Sequence, residues 1–279
     1  MNKQIILLLL LTGVFGMQAQ IKSPQPSPAA TIIQTVGLTE VRVEYSRPAM
    51  RGRKVFGDLV PYGPVWRTGA NANTKITFSD DVVIAGKTLK KGTYALYSKP
   101  QKDSWDIIFY TDANNWGNPQ QWDDNKVALS AKVPTQNMPM PIESFTISID
   151  DLTNDSGVLG ILWENTYVGL KFVVPTEAIT MKSIAQVMSG PSANDYFAAA
   201  SYYRTTGKDL KQALVWITKA TEMNDKAYWM LREKSIIHAA LGDKKNAIIA
   251  AKKSLELAEK EKNSDYIKMN KESIAKWSN

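Results

Sequence analysis

Apolar and polar residues alternate with a period of two through much of residues 31–175. Around Val41 and Val43, for example, every second side chain is apolar. This spacing predicts strands that have one buried and one solvated face, as antiparallel sheets do. The segments 127–133 and 145–149 are predicted as separate strands, among about ten short strands with no helices between them. The pattern therefore predicts an all-β antiparallel sandwich.

The spacing of the apolar residues becomes helical beyond Pro175. Residues 176–191 predict a connecting helix that ends in a Ser-Gly-Pro turn. Similar residues then recur 34 positions apart, as Ala213 and Ala247 do. A helix-turn-helix unit of this length resembles the tetratricopeptide repeat. We therefore predict an all-α array of tetratricopeptide-like helical hairpins over residues 192–279.

The first residues carry the features of a secretory signal peptide. A basic residue, Lys3, precedes an apolar core, and the small residue Ala19 marks the expected cleavage point. We predict a signal peptide over 1–19, cleavage near Ala19 and a periplasmic or secreted protein. A proline-rich arm over 20–30 follows. No second run of about 20 apolar residues occurs, so we expect no membrane span in the mature chain.

Composition excludes several kinds of chemistry. The chain has no cysteine and a single histidine, His238, which excludes disulfides, thiol catalysis and metal sites built from cysteines or several histidines. A Ser-His-Asp triad in the β-rich part is excluded as well. Phosphate loops and dinucleotide fingerprints are absent. We expect no metal and no cofactor. The net charge of +7 is diluted among acidic residues on helix faces, so we expect no nucleic-acid partner.

The segment from Tyr45 to Thr74 combines arginines, aromatic residues, glycines and prolines without a regular period. Such a composition is typical of binding loops, in which guanidinium groups hold anions and rigid aromatic rings stack on ligands. The predicted ligand-binding residues are Arg47, Arg51, Arg53, Tyr62, Trp66, Arg67 and Asn71. Alternatively, the aromatic rings plug one end of the sandwich, and the arginines pair with acids such as Glu44, Asp80, Asp81 and Glu164.

The helical part also contains candidate binding residues. Tyr203, Tyr228, Trp229 and Arg232 are predicted to line a groove that binds a protein partner, because helical repeats often serve as binding surfaces. Aromatic residues at helical spacing are also typical of the core between paired helices. Both interpretations stay open at the level of the sequence.

Several short motifs of the β-rich part occur together in a known family. They are Ser46-Arg47-Pro48, Gly52-Arg53, Leu59-Val60-Pro61-Tyr62-Gly63, Val65-Trp66-Arg67-Thr68-Gly69-Ala70-Asn71 and, later, Trp163-Glu164. With these motifs, residues 23–175 resemble domain-of-unknown-function family 2911. The resemblance implies a secreted β-rich domain of unassigned activity, so it supports the architecture and leaves the function open.

Three functional hypotheses follow from these observations. The first is a non-catalytic envelope protein whose β-domain binds a small anionic or glycan-like ligand and whose helical repeats bind a protein. It is favoured because no nucleophile and base pair is evident. The second is a hydrolase of envelope sugars or peptides that uses two carboxylates. The third is a structural scaffold in which only the helical repeats bind a partner.

Overall fold

The computed structural model describes residues 23–188 and 190–278, and the chain divides into two units, the first of which ends at Thr176. The predicted signal peptide over 1–19, its cleavage point and the first residues of the arm lie outside the described residues. Each unit has its own secondary structure and its own hydrophobic core, so each is described by itself.

The first unit is built from antiparallel strands. In sheet order β1-β2-β3-β6-β7-β8-β9-β4-β5, they are β1 (Ala29–Val36), β2 (Thr39–Ser46), β3 (Thr74–Phe78), β6 (Gly92–Pro100), β7 (Ser104–Tyr110), β8 (Val127–Asp150), β9 (Ser156–Val173), β4 (Val82–Ile84) and β5 (Lys87–Leu89). The alternation in β2 explains its orientation, because Val41, Val43 and Tyr45 are buried while the residues between them are not.

Strand β8 belongs to both halves of the sandwich. Residues up to Pro134 pair with β7, whereas residues from Thr135 onward pair with β9. The register between β8 and β9 shifts first between Asn137 and Ile142, where Pro139 and Pro141 have no N–H to donate to a ladder, and again between Ile142 and Thr146. Register irregularities of this kind bend a strand, and β8 thereby carries the sheet from one side of the core to the other.

The two halves enclose one hydrophobic core. Val43 and Phe109 from one half and Trp163 and Phe172 from the other are at most 2% exposed and belong to a single cluster. Phe78 meets Phe172 edge to face, with ring centroids 5.7 Å apart. The prediction of an antiparallel β-sandwich followed by an all-α array of helices is confirmed.

The helices follow one another as antiparallel hairpins joined by short turns. They are α1 (Thr176–Val187), α2 (Ala193–Thr205), α3 (Leu210–Met223), α4 (Tyr228–Ala240), α5 (Lys244–Lys260) and α6 (Ser264–Ser278). None of these described helices is long and apolar enough to cross a membrane.

Helices α3 and α5 begin in the same way, 34 residues apart. Asp209 and Asp243 are their N-caps, and each side chain accepts hydrogen bonds from backbone N–H groups of the first turn. Four residues further on, Ala213 and Ala247 are fully buried, which allows close packing of neighbouring helices. The repeat seen in the sequence thus has a structural counterpart. The closer relation to tetratricopeptide repeats stays a prediction.

Candidate ligand-binding site

The long loop between β2 and β3 is held on the sandwich by main-chain hydrogen bonds. The N–H of Met50 donates to the carbonyl of Glu143 on β8 (2.9 Å), and the N–H of Trp66 donates to the carbonyl of Ser98 on β6 (2.8 Å). These anchors lie at both ends of the segment that carries the predicted arginines. The loop is therefore a fixed scaffold for side chains.

Trp66 is the centre of an aromatic cluster beneath this loop. Its ring stacks on Trp163 with centroids 6.1 Å apart and an interplanar angle of 17°. It also meets Phe145 (5.3 Å) and Trp105 (6.0 Å) edge to face. The indole N–H donates to the carbonyl of Gly69 (3.1 Å). Packing and a satisfied hydrogen bond therefore fix the orientation of Trp66.

Above the aromatic cluster lies a cavity of about 420 Å³. Its wall contains three arginines, Arg51, Arg53 and Arg67, together with Trp66 and Trp163. Its apolar surface is extended by prolines, namely Pro26, Pro48, Pro61 and Pro64. We refer to this space as the arginine cavity. It has the mixture of a rigid apolar wall and few polar groups that small-molecule sites have.

Two of the cavity arginines donate to neutral acceptors. The guanidinium of Arg51 donates to the carbonyl of Pro26 (2.9 Å), and that of Arg53 donates to the carbonyl of Ala49 (2.7 Å). Within the described part of the chain, neither these two nor Arg67 forms an ion pair with a carboxylate. The guanidinium groups at the cavity are therefore not paired with a described carboxylate, although the carboxylate of Glu143 accepts a hydrogen bond from the main-chain N–H of Arg51 (2.8 Å).

Arg67 has the least satisfied side chain of the three. Its Nε is buried and has no hydrogen-bond partner among the described residues. Gly117 lies directly against the guanidinium, since a Cβ at this position would stand 3.1 Å from Nη1, and its φ of +76° favours glycine. The carbonyl of Gly117 accepts a hydrogen bond from the Tyr97 hydroxyl (3.1 Å). The loop that contains Gly117 is thereby held over Arg67.

The acids that could have paired with the arginines have other partners. The alternative interpretation, in which the arginines pair with acids across neighbouring strands, is therefore not what the structure shows. The partners are Arg42 for Glu44 (3.1 Å), Thr39 for Asp80 (3.0 Å), Lys90 for Asp81 (2.9 Å) and the N–H of Phe56 for Glu164 (3.2 Å).

Three of the predicted ligand-binding residues do not line the cavity. Arg47 donates to a main-chain carbonyl of β8 (3.0 Å) and to the hydroxyl of Thr146 (2.8 Å), which fastens the loop to that strand. Asn71 donates to the carbonyl of Ser27 (3.1 Å). Tyr62 packs against the hydrophobic core. The structure thus brings together Arg51, Arg53, Trp66 and Arg67, and it uses the other three to hold the loop and the arm.

Sequence reasoning did not include several residues of the cavity. Trp163 comes from β9, and its only signal was its place in the motifs of the family resemblance. Asn118 lines the cavity and donates to the carbonyl of Val65 (2.8 Å). Pro26 and Ser27 belong to the predicted proline-rich arm, and in the structure they form part of the cavity wall. Their carbonyls accept hydrogen bonds from Arg51 and Asn71, which hold them in place.

The predicted partner-binding residues of the helices are engaged mostly within the helical unit. The ring of Tyr203 packs on Trp216 and that of Tyr228 packs on Tyr266, with centroids 4.7 and 4.9 Å apart, respectively. Arg232 donates to Asn270 (3.2 Å) and Ser273 (3.3 Å). Trp229 differs from these residues, because it remains 36% exposed.

An antiparallel β-sandwich with an arginine-lined cavity, followed by an array of helices, defines a protein of two structural units. Residues 27–172 match the family described as "Protein of unknown function (DUF2911)", and this match covers more than half of the chain. The chain belongs to that family. Neither a curated protein nor a solved structure matches the chain significantly. The family match ends before α1, so it makes no statement about the helices.

Proposed function

We propose that this protein is a non-catalytic periplasmic or secreted binding protein whose β-unit holds a small anionic or glycan-like ligand in the arginine cavity. The observation that carries the proposal is Arg67, which lines the cavity, forms no ion pair with a described carboxylate and has a buried Nε without a hydrogen-bond partner. We further propose that the helical unit binds a protein partner.

Electrostatics favours an anion over a neutral ligand. Three arginines share one cavity wall. The guanidinium groups of Arg51 and Arg53 donate to carbonyl oxygens, and none of the three forms an ion pair with a described carboxylate. Guanidinium keeps its charge at any relevant pH. A carboxylate or phosphate would pair with this charge and accept hydrogen bonds from the guanidinium groups that line the cavity.

The apolar part of the wall favours a ligand that also carries a ring. Trp66 and Trp163 contribute aromatic surface, and the prolines add rigid apolar surface. The volume of about 420 Å³ falls within the usual range of about 300–1,000 Å³ for small-molecule sites. An acidic sugar, which combines a ring with a carboxylate, fits both requirements.

The carboxylate-dependent hydrolase receives no comparable support. The residues that line the arginine cavity do not include an aspartate or a glutamate in the described chain. Hydrogen bonds from Lys90 and Lys126 lower the pKa of Asp81 and Asp112, respectively, whereas a general acid for glycoside cleavage needs a raised pKa. The described residues also contain no group of three or more acids and histidines that could hold a metal ion.

We expect glucuronate to stabilise the wild-type protein against heat more than glucose at equal concentration does. Arg67→Met should weaken glucuronate binding by about 10- to 100-fold, the equivalent of about 1.5–3 kcal/mol for a hydrogen bond to a charged group. Arg67→Lys should lie between the two, because lysine keeps the charge and loses the planar fork of donors. Thermal shift and isothermal titration calorimetry provide the measurement.

Arg42→Gln is the matched control for this experiment. It also removes one guanidinium, but Arg42 lies on β2, pairs with Glu44 and does not line the cavity. Its affinity for glucuronate should equal that of the wild type. Equal binding of glucose and glucuronate, or an equal loss in the Arg42 and Arg67 variants, would contradict the proposal.

A further inference from the structure

A second recess lies in the helical unit, between α3, α4 and α5, with a volume of about 500 Å³. Helix α4 contributes Leu231, Lys234 and His238, which lie on one face because they are three and four residues apart. We refer to this space as the Lys234 groove. Its walls come from α3, which contributes Leu214 and Glu222, and from α5, which contributes Ile249 and Lys253.

The centre of the groove is positively charged. Lys234 is half-buried and forms no ion pair with any described carboxylate. Burial lowers the pKa of Lys234; Glu222 partly opposes this effect, and the charge of Lys253 adds to it. The lining thus holds two ammonium groups and one carboxylate. His238 is already engaged, since its Nδ1 lies 3.1 Å from the carboxylate of Asp243.

Apolar side chains flank this charged centre. Ile249 on α5 is 56% exposed, and Leu214 and Leu231 line the groove from α3 and α4. None of the four residues that the sequence suggested for partner binding belongs to this lining. The groove is therefore a separate surface in which a positive centre lies beside the exposed Ile249 and the partly buried Leu214.

We propose that the Lys234 groove binds a peptide segment of a partner protein that carries an acidic side chain next to an aliphatic one. The carboxylate would lie at Lys234 and Lys253, and the aliphatic side chain would cover Ile249 and Leu214. Charge complementarity specifies the acidic residue, and the apolar flank favours a peptide over a free inorganic anion. The proposal rests on the protein-binding role proposed for the helical unit and does not depend on a ligand in the arginine cavity.

The test uses the mature full-length chain and fluorescein-labelled octapeptides in fluorescence anisotropy. The probe peptide alternates glutamate and leucine, and two matched peptides replace either every glutamate by glutamine or every leucine by serine. We expect the glutamate-leucine peptide to bind at least about tenfold more tightly than either matched peptide, because each lacks one half of the recognition. Lys234→Met and Lys253→Met should each weaken its binding by about tenfold.

Lys211→Met is the control variant, because Lys211 is exposed on α3 outside the groove and the substitution removes the same charge. It should bind as the wild type does. A loss in Lys211→Met equal to that in Lys234→Met would show diffuse attraction to a basic protein and overturn the proposal. Equal binding of the glutamine peptide, equal binding of the serine peptide, or no binding by the wild type would overturn it as well.

Two further readouts complete the test. Lys234→Met should melt at no lower temperature than the wild type, since it replaces a partly desolvated ammonium by an apolar side chain. If Lys234→Met nevertheless unfolds, the peptide affinity of Lys253→Met decides whether the groove binds the peptide. Inorganic phosphate should compete only weakly with the probe peptide. Full displacement by phosphate at the peptide's own concentration would show a free-anion site and overturn the peptide assignment.

Discussion

Trp163→Ala is expected to destabilise the β-unit by about 3–5 kcal/mol, the usual cost of removing a large aromatic side chain from a core. Trp163 is 2% exposed and stacks on Trp66. Its indole N–H donates to the carbonyl of Glu143 (3.1 Å), which the substitution leaves without this donor. Urea unfolding monitored by hydrogen–deuterium exchange measures the loss of stability in peptides from the β-strands separately from that in the helices.

The matched control is Trp116→Ala, because Trp116 is 79% exposed. Its effect on the free energy of unfolding should stay within about 0.5 kcal/mol. Trp163→Phe should cost less than Trp163→Ala, since a ring would still fill much of the space beside Trp66. If Trp116→Ala and Trp163→Ala lowered the stability equally, the aromatic cluster would not be the centre of the core.

The strands could be predicted because their signal is local. Alternation along β2 directly reflects which side chains face the core. The continuity of β8 could not be predicted in this way. Its two ends were predicted as separate strands, 127–133 and 145–149, because the prolines between them interrupt the alternation. Pairing with β9 holds Thr135 and Ile142 in the sheet through Val168 and Glu164, respectively. These partners lie more than 20 residues further along the chain, so a local pattern does not show the pairing.

The candidate site was likewise predictable only where the signal is local. Composition singled out the loop whose Arg51, Arg53, Trp66 and Arg67 line the arginine cavity, and their role in ligand binding stays a prediction. It could not distinguish Arg47 from Arg67, which are the same kind of residue in the same loop. The difference comes from β8, whose carbonyl and hydroxyl groups engage the guanidinium of Arg47. Side-chain roles in such a loop depend on partners that are about one hundred residues away.

The aromatic residues of the helices show that helical periodicity alone does not distinguish a core residue from a groove residue. Helical spacing places Tyr203 and Tyr228 on faces that can serve either a core or a groove, and the sequence left both interpretations open. In the structure, Tyr203 packs on Trp216 and Tyr228 packs on Tyr266. Lys234, by contrast, gave no signal in the sequence, because a lysine on a helix is usually solvated. Its setting depends on the neighbouring helices α3 and α5.

Arg204→Met is expected to destabilise the helical unit by about 3–5 kcal/mol, because it leaves a buried carboxylate without its partner. Arg204 on α2 forms two hydrogen bonds with Glu233 on α4, at 2.5 and 3.2 Å. The side chain of Glu233 is only 9% exposed, and that of Arg204 is 26% exposed. Circular dichroism, which monitors the loss of helix during urea unfolding, measures the change in the free energy of unfolding.

The double variant Arg204→Met with Glu233→Met decides the physical cause. It removes both charges and fills the space with apolar side chains, so its stability should return to within about 1 kcal/mol of the wild type or exceed it. Lys260→Met is the exposed control, since the pair of Lys260 and Glu256 is 64% and 65% exposed, and it should cost at most about 0.5 kcal/mol. Additive losses in the double variant would mean that each side chain acts through its own packing rather than through the ion pair. A rescued double variant would instead show that the isolated charge of Glu233, and not the missing packing of Arg204, is what destabilises the single variant.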